Sequence, residues 1–117
     1  MKSIPTANLA RFLEEDDQKP VVMLNLLRFN KTDGRTRYYE YISRAAPIAQ
    51  SYGAEIIYSG EGLTALAAEA GQTWDAAVLV RYPGRQAFAA MIADPRYSEI
   101  DSIRIAALDE AVLQPLS

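Results

Sequence analysis

Two strand-length apolar segments dominate the pattern of the chain, Val21–Phe29 and residues 74–83. Both are rich in branched side chains and are largely apolar at odd and even positions alike. A strand with one face in water alternates apolar and polar residues, so a continuous apolar run indicates that both faces are covered. A chain of 117 residues has only enough helix for one face of a sheet. The pattern therefore predicts that a second copy of the protein covers the other face.

Helical periodicity and turn residues divide the rest of the chain. Apolar positions at helical spacing predict four helices, at residues 5–16, 36–52, 85–93 and 97–107. Extended segments are predicted at residues 21–30, 54–67, 74–83 and 108–113. We expect Thr6 to cap the first helix, Pro47 to kink or interrupt the second, and Gly53 to end it. Gly60 and Gly62 indicate a bulge or bend in the second extended segment.

The order of these elements predicts the fold class. Without the first helix, the order is strand–helix–strand–strand–helix–strand, which is the split βαβ arrangement of ferredoxin-like domains. Right-handed crossovers place the two apolar strands side by side at the centre of a four-stranded antiparallel sheet. Helices then cover one sheet face, and the other is an apolar patch of the kind that soluble monomers avoid. We therefore predict an α+β domain over residues 1–117, with a helical extension at residues 1–19, that pairs into a dimeric α+β barrel.

Composition and charge narrow the classes of function. Half of the residues are hydrophobic and 23% are charged, which is typical of a folded domain. The net charge of −3 and the scattered basic residues do not provide the positive stripe that nucleic-acid binding requires. The chain has no hydrophobic stretch of transmembrane length, and its first residues lack the apolar core of a signal peptide. No nucleic-acid or membrane partner is expected, and a cytoplasmic location is the default expectation.

Neither cysteine nor histidine occurs in the chain. Their absence removes thiolate nucleophiles, disulfides, zinc fingers, histidine-ligated haem and histidine-based catalytic triads. The acidic run at residues 14–17 lacks the spacing and the glycine of a calcium loop, so it is interpreted as a solvated helix end. No metal and no cofactor are therefore predicted.

Several separated motifs occur in an order that resembles a known family. The motifs are residues 23–29, 74–75 and 80–83, then Ala87, Phe88 and Met91, then residues 94–97, and finally Arg104 with residues 107–108. Between about residues 20 and 115 the chain resembles the uncharacterised family catalogued as domain of unknown function 1330. The resemblance implies a ferredoxin-like dimeric α/β-barrel fold, and it supplies no established activity and no catalytic residues.

The wider barrel superfamily that this resemblance implies includes small oxygenases, isomerases and haem-degrading enzymes. Some of its members use an asparagine on the first strand and a tryptophan on the third, and Asn25 and Trp74 resemble that pair in position. The haem enzymes also need a histidine, which this chain lacks. The resemblance is therefore compatible with a cofactor-independent oxygenase or an isomerase.

Strand parity places a candidate ligand pocket on one face of the sheet. Alternate residues of a strand share a face, so Asn25 lies with the odd-numbered residues of the first apolar strand. If Arg28 pairs near Asp75, the aromatic residues of both strands fall on the face of Asn25. Such a surface suits a mostly apolar pocket with a few polar groups that orient a ligand. The candidate pocket residues are Asn25, Phe29, Tyr38, Tyr41, Tyr58, Trp74, Arg81 and Tyr82.

Each polar candidate also has a structural interpretation. The Asn25 amide either points at a ligand or bonds nearby backbone, a tyrosine or water. Arg28 with Asp75 is interpreted as an ion pair at the barrel rim or the dimer interface. Arg81 either binds a ligand carboxylate through two N–H groups of its guanidinium, or pairs with Glu55 or with an acidic residue of the second copy of the chain. The tyrosine hydroxyls either donate to an oxygen of a bound ligand or are the solvent-exposed ends of core side chains.

Two functional classes remain open. The first is a small dimer that binds or converts a hydrophobic or aromatic metabolite, with Asn25 orienting it or stabilising a developing oxyanion. No residue is an obvious general base, so the catalytic residue is unassigned. The alternative is a non-enzymatic ligand-binding or structural homodimer, and an accessory module of a larger pathway is a third. A cavity beside Asn25 that admits several heavy atoms favours the first class, and a filled interior favours the second.

Overall fold

The computed structural model describes residues 1–117 as four helices and four strands. The helices are α1 (Thr6–Glu14), α2 (Gly34–Ser51), α3 (Arg85–Ala93) and α4 (Pro95–Ala107). The strands are β1 (Val21–Phe29), β2 (Glu55–Glu61), β3 (Ala76–Tyr82) and β4 (Leu108–Leu116). All four strands belong to one antiparallel sheet in the order β2-β3-β1-β4. The predicted α+β ferredoxin-like class is confirmed, with the two apolar strands adjacent at the sheet centre.

The register of the central pair determines which residues share a face. Asn25 lies opposite Val78, and Leu27 lies opposite Ala76. Odd positions of β1 and even positions of β3 point toward the helices, where Met23 and Leu27 are each only 2% exposed. The core is therefore built between this side of the sheet and the helices.

The other side of the sheet is covered by no element of the chain, and we call it the open face. Its central residues are only half-buried although they are apolar. These residues are Val22, Leu24, Leu26, Ala77, Leu79 and Val112. Both apolar strands are thus covered on one side only within a single copy of the chain.

The helix α2 ends in a Schellman motif at Gly53. The Ala54 amide donates to the Ala49 carbonyl at 3.1 Å, and the Gly53 amide donates to the Gln50 carbonyl at 2.9 Å. Gly53 has a φ of +85°, a conformation that is unfavourable for residues with a Cβ atom. The predicted role of Gly53 is confirmed. Pro47 lies inside α2 and does not interrupt it, because its exposed position loses one hydrogen bond on the solvent side only.

Two local predictions are wrong. Thr6 is the first residue of α1 and not its cap, and Pro5 precedes the helix with no side-chain cap. The bulge in β2 lies between Ile56 and Tyr58, not at the glycines. The close packing of Gly62 explains its presence, because its amide donates to the Asp75 carbonyl at 2.7 Å and a Cβ atom there would collide with backbone.

Short polar contacts determine the start of α4. The Asp94 carboxylate accepts a hydrogen bond from the Arg96 amide at 2.8 Å, and Pro95 occupies the first turn. The helix therefore starts two residues earlier than the periodicity predicts. β4 continues to Leu116 beyond the predicted end at residue 113, because it pairs with β1 as far as Val22. None of the helices has both the length and the hydropathy needed to span a membrane.

Candidate ligand cavity

A cavity of about 120 Å³ lies between the helix-facing side of the sheet and the helices, and we call it the sheet–helix cavity. Its walls are mostly apolar, and Asn25 lies among them on the central strand. The main apolar wall residues are Met23, Leu27, Val78, Phe88 and Met91. Cavities of this order hold a small aromatic molecule, since an engineered cavity of about 150 Å³ binds benzene.

Two tyrosine hydroxyls of the cavity bond to each other. The hydroxyls of Tyr41 on α2 and Tyr97 on α4 are 2.9 Å apart, and the two rings meet edge to face. Burial raises the pKa of both hydroxyls. Both groups are therefore protonated at neutral pH.

Two further tyrosine hydroxyls have no partner within the protein. Tyr38 is 4% exposed and Tyr82 is 5% exposed, and neither hydroxyl forms a protein hydrogen bond. Arg85 Nε is the one side-chain polar atom that is both sealed from solvent and unpartnered, so the two hydroxyls keep some accessible surface. Both residues line the cavity, and Tyr82 also lines a smaller pocket of about 60 Å³ between α2 and the sheet, so we infer only for the Tyr38 hydroxyl that the accessible surface faces the cavity. Burial also raises the pKa of both hydroxyls, which therefore remain hydrogen-bond donors at neutral pH.

Arg104 on α4 brings a guanidinium to the cavity. Its Nε donates to Asp101 Oδ1 at 2.9 Å, one turn earlier in the helix, and its Nη2 donates to the carbonyl of Lys2. The other terminal nitrogen, Nη1, has no partner within the protein. The charge acts on the neighbouring phenols, since it opposes the rise in the pKa of Tyr38 that burial causes. Arg104 thus lies beside the tyrosine cluster with donor capacity to spare.

Residues 1–4 close one side of the cavity, and we call them the N-terminal strap. Lys2 Nζ donates to the carbonyls of Ile105 at 3.3 Å and Leu108 at 3.1 Å, where α4 passes into β4. Together with the Arg104 contact, these bonds hold the strap against the end of α4. No carboxylate pairs with Lys2, so the strap brings an uncompensated positive charge to the cavity.

Asn25 combines features of both of its predicted roles. Its Nδ2 donates to the backbone carbonyls of Met23 at 3.4 Å and Val78 at 3.3 Å. Both bonds are longer than usual for an N–H donor, and Oδ1 has no partner. The side chain lies among the cavity walls. Backbone thus satisfies the amide only weakly, and an acceptor oxygen remains free.

The structure places Trp74 outside the cavity. Trp74 precedes the first residue of β3, where strand parity no longer applies, and the Arg28 guanidinium lies 4.6 Å from the centre of its ring. Arg28 donates to the carbonyls of Gly71 at 3.1 Å and Thr73 at 2.8 Å. The predicted ion pair of Arg28 with Asp75 is wrong, because the Asp75 carboxylate accepts instead from a backbone amide of β1.

Three other candidates also lie outside the cavity. The bulge in β2 turns Tyr58 to the open face, opposite Leu79, where it is 56% exposed. Arg81 pairs with Glu55 at 3.5 Å on the same face, which is the structural alternative foreseen for it. Phe29 is buried against Tyr38, with ring centres 5.7 Å apart, but does not line the cavity. The structure therefore brings together Asn25, Tyr38, Tyr41 and Tyr82 of the eight candidates.

Sequence reasoning missed Tyr97, Arg104 and the N-terminal strap as parts of the cavity. Tyr97 and Arg104 are seven residues apart on one helix, a spacing that places both on the same helix face. That spacing was available in the sequence. The strap was not predictable, because its contact with Arg104 joins residues 102 positions apart.

A larger groove of about 910 Å³ runs along the surface between α1 and the end of β4. Arg85 lines this groove and already contacts α1. Its Nη1 donates to the Phe12 carbonyl at 2.9 Å, and its guanidinium lies over the Phe12 ring. The sheet–helix cavity is smaller, but its apolar walls include both tyrosines whose hydroxyls have no protein partner, Tyr38 and Tyr82. It is the stronger candidate for a ligand site.

The chain matches the family described as Domain of unknown function (DUF1330) over residues 26–113. This match confirms the resemblance that the motifs of the two central strands and the last helix indicated. No protein of curated function matches the chain.

Solved structures with the same fold confirm the architecture. A protein of unknown function from Rhodopseudomonas palustris is 28% identical, with a TM-score of 0.87 over 97% of this chain and 93% of that chain. A dimeric ferredoxin-like protein of unknown function from Jannaschia is 13% identical, with a TM-score of 0.65 over 84% and 98%. A hydroxynitrile lyase from Passiflora edulis is 12% identical, with a TM-score of 0.66 over 85% and 93%. The last two similarities concern the fold alone.

Proposed function

The chain belongs to the DUF1330 family, and from its cavity and its open face we propose that it is a homodimer that binds a small, mostly apolar molecule between sheet and helices. The observation that carries the binding function is the sheet–helix cavity, whose buried Tyr38 and Tyr82 hydroxyls have no protein partner. Both hydroxyls keep some accessible surface, so a ligand that enters the cavity can accept their hydrogen bonds in place of water.

The open face supports the homodimer. Its centre is apolar on β1, β3 and β4, and an exposed apolar patch of this extent is typical of an interface. Structural relatives, such as the Jannaschia protein, are described as dimeric. Packing two open faces together buries the apolar strands on both sides, as their composition requires.

The cavity lining favours binding over conversion. It contains no carboxylate and no imidazole that could act as a general base. Its phenols are protonated at neutral pH, since the ordinary pKa of a phenol is 10.0 and burial raises the pKa of each one further. The groups that remain orient a ligand and do not remove a proton from it.

The binding site can be tested by filling the cavity. Ala111 on β4 is buried and lines it, so Ala111→Leu projects a larger apolar side chain into the space. Ala106→Leu is the matched control, because Ala106 is exposed on α4 and does not line the cavity. Backbone amide NMR shifts are followed while benzamide or benzoate is added to each protein.

We expect at least one probe to shift the amides of Met23, Leu27 and Val78 in the wild-type protein and in Ala106→Leu. In Ala111→Leu these shifts should disappear while the spectrum remains that of a folded protein. If neither probe shifts these amides, or if Ala111→Leu responds like the wild type, the proposal is wrong. Should Ala111→Leu fail to fold, Val78→Leu narrows the same cavity from the central strand.

A further inference from the structure

The polar atoms that face the sheet–helix cavity are mostly hydrogen-bond donors. The hydroxyls of Tyr38 and Tyr82 and the Nη1 group of Arg104 have no acceptor within the protein. The lining contains no aspartate or glutamate, and its charged groups are Lys2, Arg104 and the N-terminal ammonium of Met1, which pairs with Glu110. Acceptor oxygens on a ligand would satisfy these donors, and Asn25 Oδ1 remains a free acceptor on the same lining.

We propose that the cavity selects a small carboxylate with an apolar body, whose oxygens accept hydrogen bonds from the Tyr38 hydroxyl and Arg104 Nη1. This inference rests on the proposed function, because it assigns the chemical class of the ligand that the cavity binds. The carboxylate lies at the tyrosine and arginine end, and the apolar body lies against Met23, Leu27 and Met91.

The charge balance around the cavity favours an anion over a neutral acceptor. Asp101 is the only carboxylate paired with Arg104, and it binds Nε from one turn earlier in α4 without lining the cavity. Lys2 donates two of its three ammonium hydrogens to carbonyls, which do not cancel its charge. One positive charge thus remains uncompensated at the cavity. A charge-assisted hydrogen bond in such a partly desolvated site is about twice as strong as a neutral one.

Arg104 is also positioned for this role by fixed contacts. Asp101 and the Lys2 carbonyl hold Nε and Nη2, so that the remaining terminal nitrogen is oriented before a ligand arrives. The side chain is only 18% exposed, which limits competition from water. A guanidinium held in this way loses little conformational freedom when it binds a carboxylate.

Benzoate, benzamide and benzylammonium share a benzene ring and are similar in size, but they differ in charge. A comparison of the three therefore shows the effect of charge on binding. Their dissociation constants are measured at neutral pH by NMR titration of the wild-type protein. We expect benzoate to bind at least about tenfold more tightly than benzamide, and benzylammonium not to bind. Equal affinity for benzoate and benzamide overturns this inference and leaves the proposed function standing, whereas no binding of either overturns both.

Tyr38→Phe tests the assigned donor, because it keeps the ring and removes a hydroxyl without a protein partner. We expect benzoate affinity to fall about tenfold and the thermal stability to stay the same or rise. Tyr52→Phe is the control, because its hydroxyl bonds Asp94 at 2.8 Å outside the cavity, and we expect it to lower stability but not affinity.

Arg104→Gln provides a second test of the charge. It should reduce the preference for benzoate over benzamide to less than about threefold while benzamide still binds. An unchanged benzoate affinity in both Tyr38→Phe and Arg104→Gln would overturn the assignment.

Discussion

Leu26→Glu places a carboxylate at the centre of the open face and tests whether that face is the dimer interface. Leu26 lies on the middle strand, opposite Ala77 on β3 and opposite Val112 on β4. Its side chain is only half-buried within one copy of the chain. In a face-to-face dimer, both copies of the residue become buried among apolar neighbours.

The size of the effect follows from burial and symmetry. Leaving an unpaired charge in a buried interface costs about 3 kcal/mol or more. A two-fold interface contains the substitution twice, so the total is about 6 kcal/mol. Since about 1.4 kcal/mol corresponds to a tenfold change, the dimer dissociation constant should rise by more than about ten-thousandfold. Leu26→Ala, which only removes part of the burial, should raise it about thirtyfold.

Light scattering coupled to size exclusion measures the mass across a dilution series, and circular dichroism checks the fold of each variant. Ala90→Glu is the control, because it adds the same charge on the exposed side of α3, behind the opposite face of the sheet. We expect Leu26→Glu to be a folded monomer and Ala90→Glu to remain a dimer. A folded Leu26→Glu protein with the dimer affinity of the wild type, or a wild-type protein that is a monomer, would show that the open face is not a dimer interface.

Two further predictions concern the tyrosine cluster. Tyr41→Phe removes the 2.9 Å hydrogen bond to Tyr97 and should lower the free energy of unfolding by about 1 kcal/mol, as urea denaturation can measure; an unchanged midpoint would contradict this. Burial raises the pKa of Tyr38 and Tyr82 above the ordinary value of 10.0, so the folded state retains these protons where the unfolded chain loses them. Their contribution to stability is complete below pH 10 and is lost as the pH rises toward the folded pKa. The urea concentration at the midpoint of unfolding should therefore fall as the pH is raised above 10. The fall should be smaller in Tyr38→Phe. Tyrosinate absorbance that develops fully at pH 10 in the folded protein would argue against this.

The fold was largely predictable because its strongest signal is local. Continuous apolar runs identify β1 and β3 as strands with two apolar faces, and the ferredoxin-like order of elements then makes them neighbours. The expected alignment of Arg28 near Asp75 agrees with the observed register, in which Leu27 lies opposite Ala76. The error was chemical, since aligned residues of opposite charge form separate contacts with backbone.

The candidate site was predictable only where the strands are regular. Parity is correct for Asn25 and Tyr82, which lie inside β1 and β3. It fails for Trp74, which precedes its strand, and for Tyr58, because a bulge reverses the face of every residue beyond it. The contribution of Lys2 to the cavity depends on long-range packing, which no local pattern encodes.

A crystal structure grown with benzoate shows whether the sheet–helix cavity binds a ligand. We predict electron density for one benzoate per protomer in the cavity, with its carboxylate within hydrogen-bond distance of the Tyr38 hydroxyl and Arg104 Nη1. A cavity that is empty or filled by a rearranged side chain at saturating benzoate would contradict ligand binding at this site.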